Sequence, residues 1–146
     1  MDQSEPCLSA RHLLICREVI YDGNNPVAPY TLRGMLTELR PFRAFPLVWN
    51  QPIYLFAQYF GEDGEFEVWF DLVQLVYDEA DEVVDEVEEA SYGPFMLHLA
   101  PGRFVHSRSY LLRRVPFTEP GVYEFRLRVA GVMEPLVSEH LLVEDY

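Results

Sequence analysis

The chain has 146 residues, of which 49% are apolar and 14% aromatic, and a formal net charge of −13. That length suits one ordinary domain, burying roughly 70% of its unfolded surface, and the apolar content excludes wholesale disorder. The negative charge repels phosphate backbones, which excludes nucleic acid as a favoured partner and points to basic surfaces or cations.

Residues 1–10 are polar, contain Pro6 and Cys7, and read as a flexible N-terminal tail, with the folded domain spanning 11–146. Being acidic and polar, they do not read as a secretory signal, and no stretch reaches the ~20 apolar residues of a membrane span. The expectation is a soluble, cytoplasmic protein. Arg11 to Tyr21 carries Leu13, Ile15, Val19 and Ile20, a first strand by its β-branched content. Cys16 lies inside it and reads as a buried thiol; with Cys7 it forms neither a metal spacing nor a disulfide framework. Asp22-Gly23-Asn24-Asn25-Pro26 is a turn.

Tyr30 to Leu39 is ambiguous. Leu32, Met35, Leu36 and Leu39 have helical spacing, yet Gly34 interrupts it and Thr31, Arg33 and Thr37 suit a half-exposed strand. The strand is preferred, with a short helix as the alternative. Pro41 to Pro52 holds Phe42, Phe45, Leu47, Val48 and Trp49 among prolines, which keeps it out of a central strand and suits a loop over an open end. Ile53 to Phe60 is a strand, and Gly61-Glu62-Asp63-Gly64 reads as a hairpin loop. From Glu65 to Val76, Phe66, Val68, Phe70 and Leu72 point inward, and Glu65, Glu67 and Asp71 outward. Trp69 then faces outward, as a contact residue or an edge cover.

Residues 77–90 form an acidic insert with Asp78, Glu79, Asp81, Glu82, Asp85, Glu86, Glu88 and Glu89. Acidic residues are poor strand formers, and like charges four apart weaken a helix, so a mobile loop or weakly held element is expected. Tyr92-Gly93-Pro94 punctuates, and Phe95, Leu97 and Leu99 mark a strand ended by Pro101-Gly102. Arg103, Arg108, Arg113 and Arg114 follow among apolar residues and form a second candidate patch. All 11 basic residues are Arg, a bias that a GC-rich genome produces without physical demand; avoidance of lysine modification is the alternative. Pro120-Gly121 turns the chain into Tyr123, Phe125, Leu127 and Val129, which alternate with Glu124, Arg126 and Arg128. Ala130-Gly131 breaks that run, and a second apolar run from Leu136 completes an antiparallel hairpin.

Short strands with turn signals between them give an all-β, single-domain antiparallel β-sandwich of 7–9 strands. The run from Phe117 to Gly131, the upstream Tyr30-Thr31-Leu32-Arg33-Gly34-Met35-Leu36 and Phe45-Pro46 resemble a family of small uncharacterised bacterial proteins. The resemblance implies an immunoglobulin-like sandwich and carries no activity or site residues. The acidic insert departs from the short turn that the resemblance implies there.

Catalytic motifs are missing. His12, His98, His106 and His140 stand outside any metal or hydrolase signature, and His106-Ser107 would face opposite ways on a strand. The acidic run lacks the glycine and ligand spacing of an EF-hand loop. The expectation is therefore a non-enzymatic interaction or adaptor module in a bacterial cytoplasm, without cofactor, metal, nucleic acid or membrane. It docks a basic protein surface through the acidic run and Trp69, and homo-oligomers stay open. The alternatives are a small hydrolase or metal-dependent enzyme with a site assembled from scattered residues, and a structural self-associating β protein.

Overall fold

The computed structural model describes residues 8–61, 63–102 and 104–145. Its centre is the pair of strands β6 (Gly64–Tyr77) and β10 (Gly121–Val129). In β10 every second residue from Tyr123 to Val129 is buried, so the period of two in the sequence becomes one dry face and one wet face. Phe125 stands opposite Leu72 of β6, and Leu127 opposite Phe70. The expected core group of Tyr123, Phe125, Leu127, Val129, Val68 and Phe70 is buried together, with Phe66 half-buried against it.

Eleven strands are present among the described residues, more than the 7–9 expected, because three connections each contribute one short strand. One sheet has the order β2-β1-β5-β8, from β1 (Leu8–Tyr21), β2 (Tyr30–Met35), β5 (Ile53–Gly61) and β8 (Val105–Leu112). The other has the order β3-β11-β10-β6-β7, adding β3 (Glu38–Leu39), β7 (Val83–Leu99) and β11 (Val137–Val143). All pairings in the two sheets are antiparallel except β3 with β11. One contiguous core takes Ile15, Leu55 and Tyr59 from the first sheet and Phe70, Phe125 and Leu141 from the second. Each such fully buried side chain contributes roughly 1.5–3 kcal/mol of transfer free energy.

Several expectations change. Residues 8–10 already belong to β1, so the strand begins before Arg11; residues 1–7, Cys7 included, lie outside the described residues. Tyr30 to Leu39 is extended, as preferred, but as two strands, Tyr30–Met35 and Glu38–Leu39, and the helical stripe fails because its apolar residues serve two different sheets. No hairpin joins β5 to β6, because β5 ends at Gly61 in one sheet and β6 begins at Gly64 in the other. Pro41 to Pro52 contributes β4 (Leu47–Trp49), which pairs with β9 (Val115–Phe117), and Trp49 packs on the core. Gly93-Pro94 does not end a strand. β7 runs through it, which an edge position permits because proline there removes no ladder bond from a central strand.

Two devices fix the ends. Tyr123 is fully buried, its hydroxyl donates to the Glu119 carbonyl (2.6 Å), and it accepts from the Glu119 N–H (3.3 Å). That clamp sets the chain's entry into β10, and the ring packs edge-on to Phe117 at 5.0 Å. The β1–β2 hairpin is held by Tyr30, whose ring lies 5.2 Å from that of Phe56 and whose hydroxyl donates to the Ser107 carbonyl (2.8 Å). No helix of the described residues is long and apolar enough to cross a membrane.

Candidate functional site

The acidic residues divide between the β6–β7 turn, which holds Asp78, Glu79, Asp81 and Glu82, and strand β7, which holds Asp85, Glu86, Glu88 and Glu89 where a loop or weakly held element was expected. Residues 83–90 form the first half of β7, bonded along β6 with Gln74 opposite Val87 and Leu75 opposite Glu86. Sheet pairing overrides the poor strand propensity here, since β6 has a backbone edge to satisfy and Val83, Val84 and Val87 are β-branched. The β6–β7 turn is built by Asp78. Its Oδ1 accepts from the N–H groups of Ala80 (2.9 Å) and Glu82 (3.0 Å), and its carbonyl from Asp81 N–H (3.1 Å). Asp81 takes a left-handed φ of 58°, which Asp tolerates better than most side chains.

The eight carboxylates therefore differ in role. Asp78 holds the turn, and Asp85 accepts from the Glu86 N–H (2.8 Å). Glu86 receives Arg126 through both guanidinium NH2 groups (2.7 and 2.9 Å), and Glu89 accepts from the Thr118 hydroxyl (2.7 Å). Glu79, Asp81, Glu82 and Glu88 are exposed, and their side chains have no hydrogen bond or ion pair among the described residues. The Arg126 hydrogen bonds hold the Glu86 carboxyl below the usual glutamate range, and Glu86 in turn raises the Arg126 guanidinium. Because β7 is the last strand of its sheet, β6 pairs with it on one side only, and Val83, Val84 and Val87 remain exposed on it.

One arginine reaches this segment across the sheet. The arginine reaching it is Arg126 of β10, carried there by the β6–β10 register. Arg108 is half-buried in the other sheet, donating to the carbonyls of Ser107 (2.8 Å) and His98 (3.2 Å). Arg113 and Arg114 follow β8 and are exposed, while Arg103 lies outside the described residues. Arg108, Arg113 and Arg114 therefore share no face with Arg126 and Arg128.

Also missed was a charge ladder on the outer face of the second sheet. Glu124 accepts from Arg126 Nε (2.6 Å) and lies 2.9 Å from His140 Nε2. Asp71, expected outward, is buried on this face because Arg128 and the Ser91 hydroxyl (2.8 Å) cover it. The alternation in β10 revealed the outward position of Glu124, Arg126 and Arg128, but no local signal names partners on three other strands. Trp69 sits on the same face and is half-buried over Gly93: a Cβ there would meet Trp69 Cδ1 at 3.0 Å. It covers an edge glycine rather than standing free.

Cys16 is buried, as expected, with its thiol toward the Met35 sulfur (3.6 Å), and burial raises its pKa. The hydroxyls of Tyr59 and Tyr110 meet at 2.8 Å in the core, and burial pushes both up. Among the described residues no three metal-ligating side chains converge.

No protein-family model and no curated protein matches the chain. Among solved structures it is similar to the alkylpurine DNA glycosylase AlkC of Pseudomonas fluorescens bound to abasic-site DNA. Identity there is 11% and the TM-score 0.48, over 95% of this chain and 31% of that one. It is also similar to a beta-glucosidase from Listeria innocua in complex with glucose, at 15% identity and TM-score 0.45, over 99% of this chain and 16% of that one. The chain thus spans less than a third of either protein, and likenesses this distant carry no function.

Proposed function

We propose that the chain is an immunoglobulin-like sandwich serving as a non-enzymatic protein-interaction module, and that the edge strand β7 takes up a basic, extended segment of a partner protein. The strand order supports the fold reading. With β1, β5 and β8 as strands A, B and E and β6, β10 and β11 as C, F and G, the ABE and CFG groupings of that fold are reproduced, and β7 takes the C′ place. Tyr123 at the start of β10 matches the tyrosine corner of such domains.

The observation that carries the functional reading is an open edge that is also the most acidic part of the chain. An unpaired strand edge offers main-chain donors and acceptors, and strand addition uses them for affinity. Charge then selects the partner. A second copy of β7 would bring like charges together, so the carboxylates that block self-pairing favour a Lys- or Arg-rich strand.

The test uses a synthetic peptide of alternating arginine and valine. The expected result is binding that weakens as salt rises, with slowed amide exchange at residues 83–88. Replacing Glu79, Glu82 and Glu88 by Gln and Asp81 by Asn removes only carboxylates without a structural role. That variant should keep or raise its melting temperature and lose roughly tenfold or more in affinity. Equal binding by the variant, or unchanged exchange along β7, would overturn the reading.

A further inference from the structure

Six of the 11 arginines, from four separate stretches of the sequence, gather at one place. Three adjoining cavities of ≈ 550, 440 and 260 Å³ share the walls of Gln51 and Pro52, just before β5. Arg17, Arg33, Arg40, Arg43, Arg113 and Arg114 line them, against two carboxylates, Glu18 and Glu38. Two of the six are engaged in ion pairs, Arg33 with Glu18 at 3.9 Å and Arg40 with Glu144. Arg17, Arg113 and Arg114 have no ion pair among the described residues. In a chain of net charge −13 this is a local excess of positive charge.

We propose that this trench binds a short acidic peptide segment of a partner protein, at a site separate from the β7 edge. The physical case rests on range. At physiological salt the Debye length is about 8 Å, so carboxylates elsewhere on the molecule are largely screened from a ligand in the trench, while arginines in contact with it are not. A nucleic acid extends its charge well past the trench and over the acidic surface, where each further phosphate is repelled. A single small anion needs several guanidinium groups converging on one point, and here they are spread along three cavities. An extended chain of carboxylates meets them in series, as guanidinium forks suit carboxylates. The 440 Å³ cavity adds Trp49 and the exposed Phe42, whose rings suit the apolar side chains between such carboxylates.

Arg114 supplies a second observation. It holds a left-handed φ of 56° at the bend between β8 and β9, a conformation that glycine takes without strain. A long cationic side chain at such a position, with no ion pair among the described residues, fits a role in binding better than one in folding.

The test is fluorescence anisotropy with a labelled short oligoglutamate peptide. The expected result is saturable binding that Arg114→Gly and Arg17→Ala each weaken severalfold, and the two together by roughly tenfold or more. Arg114→Gly should leave the melting temperature unchanged or raised, so lost binding is not lost folding. The alternating arginine–valine peptide should bind these variants as it binds the parent, which separates this site from β7. Peptide binding that the variants leave unchanged, or no binding at all, would overturn the proposal. So would displacement of the peptide by millimolar inorganic phosphate, which would make the trench a small-anion site, or equal affinity for a single-stranded DNA oligonucleotide.

Discussion

Phe125→Ala is the sharpest test of the register between the two central strands. The ring is fully buried, lies opposite Leu72, and has buried Tyr123 and Leu127 two residues away on the same face of β10. Both neighbouring strands are hydrogen-bonded along its length, β6 on one side and β11 on the other, so the walls cannot close on the space. Truncation then costs the transfer free energy of the ring and a cavity term, together on the order of 3–5 kcal/mol. A domain of this kind has about 5–15 kcal/mol in all, so the loss takes a large share of it. With a urea slope of about 1.5 kcal/mol per molar, the unfolding midpoint should fall by roughly 2–3 M. Arg113→Ala, at an exposed side chain, should stay within about 0.5 kcal/mol of the parent and serves as the control. A loss under about 1 kcal/mol for Phe125→Ala would refute the register. A one-residue slip exchanges the two faces of a strand, so Arg126→Ala would then carry the large effect instead.

Tyr123→Phe keeps the ring and removes only the hydroxyl that meets both backbone groups of Glu119. It should cost about 1–2 kcal/mol by the same urea measurement, and a neutral result would deny the corner a stabilising role. Stability should also fall on the alkaline side. Burial raises the phenols of Tyr59 and Tyr110 and pushes that of Tyr92 up to about 12. A phenol raised in the folded state stabilises it fully below the ordinary tyrosine pKa of ~10, and that stabilisation is lost as pH climbs through the folded value. Urea midpoints should therefore decline above pH ~10, with part of the tyrosinate absorbance appearing only on unfolding. A midpoint level across the range from ~10 to 12 would contradict it.

What the sequence disclosed depended on how local the cause was. The period of two in Tyr123, Phe125, Leu127 and Val129 is set by the pleat of a single strand, and the buried face follows from it. Strand propensity likewise served for Ile53 to Phe60. The passage from β5 to β6 between sheets did not show, because connections within one sheet and between two sheets draw on the same residue types. The acidic half of β7 was misjudged for a related reason. Propensity counts what the four carboxylates Asp85, Glu86, Glu88 and Glu89 do to an isolated strand; it does not count a neighbour with a full edge of backbone groups to satisfy, nor an arginine arriving from β10.

The candidate sites lie at the far end of that scale. In sequence, Arg113 and Arg114 stand close to Arg103 and Arg108. Proximity along the chain is a poor guide in a sandwich. Arg108 points its guanidinium to carbonyls of Ser107 and His98, while Arg113 and Arg114, five and six residues on, share walls with Asn50, Gln51 and Pro52. Gln51 and Pro52 also line the cavities that hold Arg17 from within β1, Arg33 from β2, and Arg40 and Arg43 from the connection after β3. Antiparallel pairing produces such convergence, because every second strand end returns to the same rim of the sheet. A rim can therefore collect like charges that the linear sequence keeps apart. That is how a chain of net charge −13 comes to have both an acidic edge and an arginine-lined trench, each able to attract a partner of the sign that the other repels.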